Sequence, residues 1–297
     1  MAEKLVKCPV CKTTVFSDFL EVTDHFLSKE KFSIQACDAC GFRFVNPRPE
    51  KTEIGRYYQS EDYISHDAKK GDLISRVYRL ARVVSISRKF GIVKANVAAG
   101  NILDIGCGTG EFLGYCRSKG FEISGFEPNE KAREYAMREN NIPMAGNLAD
   151  LKDKHSAYSC ITMWHVLEHV HDLDETLAMI RGMLKPDGVF IVAVPNSNSW
   201  DAQNYGSFWA AYDVPRHLYH FTGATLKKLI SRHGFEMRKV LPQKLDAFYV
   251  SMLSEKYRHG KNNYLKSLFL GFWSNFQAWK KGRGHSSQIF VLTLKNT

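Results

Sequence analysis

From residue 101 onward the chain alternates short apolar runs with stretches whose apolar residues recur at helical spacing. This is the pattern of parallel βαβ units. Apolar runs predict strands at 101–105, 121–127, 159–164, 188–194, 235–241 and 288–294, with a weaker one near 142–145. Helical spacing predicts helices at about 110–119, 129–140, 172–184 and 223–233. Upstream, Leu73, Ile74, Val77, Leu80, Ala81, Val83 and Val84 fall on one face of a further helix. The first 50 residues end in Asn46-Pro47-Arg48-Pro49, and two prolines there suit a boundary. The expected division is a small module at 1–50, a helical linker or lid at 51–97 and a main α/β domain at 98–297.

A chain of 297 residues with 44% hydrophobic content can form one such domain plus an appended module. No run reaches the roughly 18 consecutive apolar residues of a membrane span. Met1-Ala2-Glu3-Lys4-Leu5 lacks the apolar core of a signal peptide, so a cytoplasmic location is expected. The formal net charge of +10 suits either an acidic partner or solubility alone, and the wide spread of basic residues favours solubility.

The seven cysteines sharpen the picture of the N-terminal module. Cys8-Pro9-Val10-Cys11 and Cys37-Asp38-Ala39-Cys40-Gly41 are two knuckles separated by 25 residues. Four thiolates on two tight turns can surround one Zn²⁺ tetrahedrally, which predicts a zinc ribbon with Cys8, Cys11, Cys37 and Cys40 as ligands. Four protein ligands leave no open position, so the ion is expected to be structural. A redox-active pair needs one such motif beside a helix start, not two. Cys107, Cys116 and Cys160 lie among apolar neighbours and read as small core residues. Lys4, Lys7, Lys12, Lys29, Lys31, Arg43 and Arg48 are interspersed with Glu3, Asp18, Glu21, Asp24, Glu30 and Asp38. That mixture argues against a dedicated nucleic-acid surface and for a scaffold or substrate lid.

The central chemical signal is Leu103-Asp104-Ile105-Gly106-Cys107-Gly108-Thr109-Gly110-Glu111, between a predicted strand and a predicted helix. Glycines are needed where backbone approaches a ligand closely or takes positive φ. In a dinucleotide-binding loop the third glycine comes three residues after the second. Here Gly110 comes two after Gly108, and Glu111 would be a poor neighbour for a pyrophosphate. It is acceptable beside an ammonium and a sulfonium. The next predicted strand ends in Glu127, which can accept hydrogen bonds from both hydroxyls of a ribose. Pro128-Asn129 then opens the following helix. The ligand is expected to be nucleoside-like and without phosphates.

Asp104-x-Gly106-x-Gly108-x-Gly110 followed by Glu127 resembles the cofactor site of class I S-adenosylmethionine-dependent methyltransferases. Trp164-His165-Val166-Leu167-Glu168-His169-Val170 and Val194-Pro195-Asn196 are similar to the ends of the fourth and fifth strands of that family, especially its ubiquinone-biosynthesis-like branch. The resemblance covers about 98–240, and the final strand extends it towards 297. It implies a Rossmann-like α/β fold with a mostly parallel seven-stranded sheet whose last strand is antiparallel. It also implies that Asp104 and Gly106 contact the methionine part of the cofactor and Glu127 the ribose. Asn147 and Leu148 would pass the adenine, and Trp164 and His165 would border the methyl group. Cys107, Gly108, Gly110 and Pro128 complete the implied contacts. Methyltransferases with an N-terminal ribbon occur in bacterial biosynthetic clusters, and the architecture here is similar.

His165-Val166-Leu167-Glu168-His169 also spells H-x-x-E-H, the inverted zinc-protease motif. That motif needs both histidines on one helix face, whereas this segment leaves a predicted strand. Its histidines are read as lining a pocket or pairing with Glu168.

Loops beyond the carboxyl ends of the strands should decide what is methylated. The segment 195–222 is dense in aromatics and histidines and suits the wall of a small-molecule pocket; the alternative is a loop packed on the core. An acceptor hydroxyl must lose its proton, and His217, His220, His165 and Tyr219 are the candidate bases, in that order for the histidines. Leu265, Leu268, Phe269, Phe272, Trp273, Phe276 and Trp279 recur at helical spacing between Tyr264 and Lys281, within an insertion at about 245–285. With Lys261, Lys266, Lys280, Lys281 and Arg283 nearby, this helix either meets a membrane carrying a lipid-linked substrate or packs on the domain or a second subunit. Charges clustered at its ends favour packing. The sequence leaves the oligomeric state open. The function expected is O-methylation of a small molecule such as a sugar, phenol or quinone-like intermediate. An RNA or protein methyltransferase using the ribbon for recognition, and a non-catalytic cofactor-binding scaffold, are the alternatives.

Overall fold

The computed structural model describes residues 2–58, 73–282 and 284–295. The part of the expected linker or lid at 59–72 lies outside the described residues. The central sheet has seven strands: β6 (Asn101–Ile105), β7 (Glu122–Phe126), β8 (Met144–Ala145), β9 (Tyr158–Trp164), β10 (Leu184–Pro195), β12 (Phe235–Pro242) and β13 (Ser287–Leu294). Their order is β12-β13-β10-β9-β6-β7-β8. Strand β13 runs antiparallel to both of its neighbours, and the other strands share one direction. This is the Rossmann-like methyltransferase fold that the sequence implies.

Period-two alternation splits the strand residues between two cores. Leu103, Ile105, Ile161, Met163, Phe190 and Val192 face one; Ile102, Cys160, Val189, Ile191 and Ala193 face the other. Helices α2 (Glu111–Ser118), α3 (Glu130–Asn140), α4 (Leu173–Met183) and α6 (Gly223–Arg232) occur where helical spacing places them, and a short α5 (Trp200–Tyr205) lies in the segment after β10. Strand β10 starts four residues earlier than expected, because Leu184 already pairs with Tyr158 before a register break that ends at Val189.

The helix α1 (Leu73–Lys94) differs from its expected packing. Val83 and Val84 are exposed, while Val93 is buried and Phe90 packs beside it, so the end of the helix docks rather than its middle.

The first 50 residues do not fold as a closed module. Strands β2 (Phe16–Thr23), β3 (Lys31–Cys37) and β4 (Arg43–Val45) are joined in one sheet by β11 (Tyr219–His220), in the order β11-β4-β3-β2. Tyr219 pairs with Phe44 and His220 with Arg43. The two ends of the N-terminal stretch meet where β1 (Ala2–Glu3) pairs with β5 (Arg48–Pro49). Cys8, Val10, Phe42 and Phe44 share a core with Leu218, Phe221 and Phe235.

The insertion before β13 is a pair of helices, α7 (Asp246–His259) and α8 (Tyr264–Lys281). Helix α8 turns its small and polar residues inward: Ser267, Ser274, Gln277 and Ala278 are buried. Its aromatic side is exposed, with Phe269 at 63%, Phe272 at 62% and Trp279 at 79%. The helix thus packs on the domain, within the reading favoured by sequence, but through its small and polar face and not its aromatic one. The buried contacts explain the inversion, since Ser274 donates to Asp201, which also accepts from Trp209 and Ser286. From Lys256 to the last residue there are eight Lys and Arg and no acid, so the charge is not evenly spread. Among the described residues no helix is long and apolar enough to cross a membrane.

One buried ion pair ties the N-terminal sheet to the domain. Arg216, 2% exposed, donates to Asp24 at 2.9 Å, to Asp213 at 2.6 Å and to the Tyr57 carbonyl at 3.0 Å. Burial works against both carboxylates, but Arg216 holds Asp24 and Asp213 below their usual range. Removing one partner of such a pair strands the others without compensation. Arg216→Ala is expected to lower unfolding free energy by about 3–5 kcal/mol in urea titrations, whereas a substitution at the exposed pair Lys31–Glu21 should leave the transition nearly unchanged.

Candidate active site

The glycine loop turns at the carboxyl end of β6. Gly106, Gly108 and Gly110 all have positive φ, at 73°, 57° and 77°. A Cβ on Gly106 would stand 2.5 Å from Val166, and one on Gly110 2.2 Å from Ile142. At Gly108 a Cβ would meet nothing within 4 Å, so this is the open side of the loop. The backbone N–H groups of Gly106 and Cys107 both donate to the Phe126 carbonyl, which locks the loop to β7.

Glu127 follows directly. It is 9% exposed, and its carboxylate accepts from the Gly108 N–H and the Asn129 N–H, each at 2.9 Å. Asp104 is buried behind the loop, accepting from the Thr162 hydroxyl at 2.5 Å. Burial, opposed by Thr162 and by Lys89, pushes Asp104 up to about 7, and Glu127 adds to the rise. Lys89 reaches in from α1, with its ammonium 4.8 Å from the Trp164 ring centroid. Glu111, at the start of α2, pairs with Arg82. Cys107 is half-buried, and burial raises its thiol pKa. Pro128 and Asn147 are exposed, and Leu148 is half-buried. Asn147 caps a short 3₁₀ turn at Leu148–Leu151 by accepting from the Ala149 N–H. Asp104, Glu127, the loop and Trp164 thus meet at the carboxyl ends of β6, β7 and β9.

The four candidate bases have very different surroundings. His165 has φ +59°, uncommon for a residue with a side chain. Its Nε2 lies 3.0 Å from Asp246, and its Nδ1 3.4 Å from Glu168. Burial opposes its charge, but Asp246 and then Glu168 outweigh it and lift His165 to about 10. It holds its proton at neutral pH and cannot accept another. Tyr219 accepts from Arg48 at 2.6 Å and donates to the His171 carbonyl at 2.8 Å, and burial pushes its phenol up to about 12. His220 is 3% exposed, packed edge-on against Tyr212, with burial holding it well below the usual histidine range.

His217 differs. Its Nδ1 donates to the Ala211 carbonyl at 2.8 Å, and its Nε2 faces Glu168 at 4.0 Å. Trp209, Tyr212 and Phe221 of the same segment are core residues, so 195–222 is mostly a packed connection between two sheets. Glu168, His169 and His217 offer ligand atoms that all lie within 4.8 Å of one another. Spacing alone did not single out this trio, because His217 comes from a different segment. The acid inside an apolar run at a strand exit was the available signal. Asp246 gave none, as its partner His165 is distant in sequence.

In the N-terminal sheet the four cysteine sulfurs also lie within 4.8 Å of one another. Cys8 and Cys40 stand 3.7 Å apart, and Cys11 and Cys37 3.4 Å. Thiolates around one tetrahedral Zn²⁺ at about 2.3 Å would be about 3.8 Å apart, so the donor set fits that ion.

Residues 76–240 match a protein family described as a methyltransferase domain. Ubiquinone biosynthesis O-methyltransferase of Mesorhizobium japonicum is 34% identical over 101 residues, which cover 32% of this chain and 41% of that protein. The Haemophilus ducreyi protein of the same name is 31% identical over 116 residues, covering 35% and 49%. The chain spans about half the length of the curated relatives it matches. Among solved structures, 1,6-didemethyltoxoflavin-N1-methyltransferase of Burkholderia thailandensis aligns with a TM-score of 0.51 at 15% identity, covering 94% of this chain and 100% of that one. Phosphoethanolamine N-methyltransferase 2 of Haemonchus contortus aligns at 0.50 and 14% identity, covering 71% and 53%. At these identities the likeness is one of fold.

The buried acid makes a prediction about the ligand-free protein. A carboxyl raised above its usual value stabilises the fold at low pH, and that contribution is lost as pH rises through about 7. Asp104→Asn keeps an acceptor for Thr162 and removes the buried charge. Its melting temperature should exceed that of the wild type at pH 8, by an amount equivalent to about 4 kcal/mol, with the gap narrowing at pH 5 and closing only near pH 4. Parallel melting curves at both pH values would contradict the assignment.

Proposed function

Since this chain belongs to the methyltransferase-domain family, we propose that it is an S-adenosylmethionine-dependent enzyme that methylates an oxygen of a small molecule. The observation that carries this reading is the pair of carboxylates, Asp104 and Glu127, set around an open glycine turn with no phosphate-binding cation on the loop itself. Such a cleft favours a ligand with an ammonium and a sulfonium and disfavours a pyrophosphate. The bound cofactor supplies a methyl group activated on a sulfonium.

The protein's own contributions follow from its geometry. Glu127 accepts hydrogen bonds from the ribose hydroxyls, and its orientation is preset by the Gly108 and Asn129 N–H groups. Asp104 gives the methionine end a negative surrounding. Gly108 allows close backbone approach on the open side of the turn. Trp164 and His165, at the end of β9, border the methyl group. Most rate enhancement in such a displacement comes from alignment of acceptor and methyl. Removal of the acceptor proton is assigned to the Glu168–His169–His217 group, because His165 already carries its proton. The small-molecule O-methylation reading draws on the partial likeness to ubiquinone biosynthesis O-methyltransferases. We assign Cys8, Cys11, Cys37 and Cys40 to one structural Zn²⁺, which would hold the knuckles of the N-terminal sheet together.

Two measurements test the proposal. Labelled S-adenosylmethionine should transfer its methyl group to catechols or other phenols, or to sugars, and mass analysis should locate it on oxygen. Glu127→Gln should weaken binding of S-adenosylhomocysteine about 10- to 100-fold, the loss of a charge-assisted hydrogen-bond pair, with unchanged circular dichroism. Equal affinity in the variant would remove Glu127 from the site.

A further inference from the structure

Helix α8 turns towards solvent the side that an amphipathic helix normally buries. Among its described side chains, every exposed one is apolar or aromatic except Lys266 and Lys280. The opposite side, with Ser267, Ser274 and Gln277, is packed on the domain. On the open side the rings form a continuous row. Between centroids, Phe269 lies 6.2 Å from Trp273, Trp273 5.4 Å from Phe276, and Phe276 6.0 Å from Trp279. At roughly 200 Å² per aromatic side chain, the exposed parts of Phe269, Phe272, Trp273, Phe276 and Trp279 come to about 600 Å². A contiguous apolar patch of that size marks an interaction surface.

Charge decides what this row meets. No acid occurs from Lys256 to the end of the chain. Buried Glu255 holds Lys266 at 2.9 Å. Lys261 precedes the helix, Lys280 lies in its last turn, and the carbonyl of Lys244 accepts from Asn275 at 3.0 Å. All three lysines are exposed, and none makes an ion pair among the described residues. A second copy of the chain is a poor partner for such a face. Two-fold pairing of parallel α8 helices sets Lys280 against Lys280, and antiparallel pairing sets Lys280 against the Lys261 end. Neither arrangement brings an acid of this segment to the cations. An anionic lipid surface satisfies both features together. Aromatic rings settle at the level of the headgroups, and lysines near the two helix ends reach the phosphates. Since no described helix is long and apolar enough to cross a membrane, the row lies in the plane of the surface.

We propose that α8 docks the protein on an anionic lipid bilayer, with its aromatic row among the headgroups and Lys244, Lys261 and Lys280 on the lipid phosphates. Helix α7 supports α8, and its Phe248 meets Phe272 edge-on with centroids 5.0 Å apart. The same α7 carries Asp246 beside His165, so the docking face and the cleft share one support. Docking follows from the charge and shape of this face and does not depend on the methyl-transfer reading.

Sedimentation of the full-length protein with vesicles tests this, using phosphatidylcholine alone and phosphatidylcholine with a one-third share of phosphatidylglycerol. The protein should sediment with the anionic vesicles and stay in the supernatant with the neutral ones, and added salt should release it. Tryptophan emission should move to shorter wavelength on the anionic vesicles as Trp273 and Trp279 leave water. Lys261→Gln combined with Lys280→Gln should weaken partitioning about 10- to 30-fold. Phe269→Ser combined with Trp279→Ser should weaken it at least about 10-fold. All four positions are exposed, so circular dichroism and melting should be unchanged in both variants. Lys152→Gln, beyond the opposite edge of the central sheet, should bind vesicles as the wild type does. The proposal is overturned by no sedimentation with anionic vesicles, by equal sedimentation with neutral ones, or by wild-type binding in the Phe269→Ser and Trp279→Ser variant. A lipid-free dimer that this variant splits in analytical ultracentrifugation also overturns it and assigns the face to a second copy. Titration of the same samples with S-adenosylhomocysteine reports on the cofactor reading separately and should match the wild type.

Discussion

A guanidinium that is 2% exposed has to be neutralised from inside the protein, and Arg216 draws one carboxylate from nearly two hundred residues upstream and the other from its own turn. Asp24 comes from the N-terminal sheet and Asp213 from the connection after β10. The 3₁₀ turn carrying Tyr57 adds its carbonyl. This constraint sets where β11 can pair, because Tyr219 and His220 follow within four residues. It also sets the chemistry next door. The Leu218 N–H donates to the Glu168 carbonyl at 2.9 Å, and the Arg216 carbonyl fixes the His169 ring. The N-terminal sheet is thus joined to the site by the same short segment that buries the ion pair.

On the other side of β9 the electrostatics run the opposite way. Asp104 is left without a full counter-charge in the ligand-free protein, and burial holds it near neutrality. Glu127 is oriented by two backbone donors with no cation in its hydrogen-bond set. A cleft built in this manner is less stable when empty and ionised, and a cationic ligand relieves it. His165 separates this region from the Glu168 group. Its left-handed backbone lets the chain leave β9 sharply, and Asp246 from the insertion keeps it charged.

Local pattern made most of the sheet legible in the sequence. Strands such as β6 and β9 are buried along nearly their whole length, so they stand out as apolar runs. The glycine turn was equally readable, since each of its three glycines has positive φ. What could not be read depends on contacts distant in the chain. Nothing near Tyr219 announces a strand partner at Phe44, so the 1–50 stretch looked separate. Helix α8 misled because its apolar periodicity is real, yet Ser267 and Ser274 are the residues that pack inward. The histidines were legible as chemistry but not as roles. Asp246 lifts His165 towards its charged form, and the Nδ1 of His169 meets both the Arg216 carbonyl and the Tyr58 hydroxyl.

The account rests on a cleft whose carboxylates select a sulfonium nucleoside over a nucleotide with phosphates. Isothermal titration of the full-length protein with S-adenosylhomocysteine and, separately, with NADH tests this choice directly. One saturable site for S-adenosylhomocysteine and no heat with NADH is the result predicted. Tight NADH binding with no response to the adenosyl thioether would contradict it.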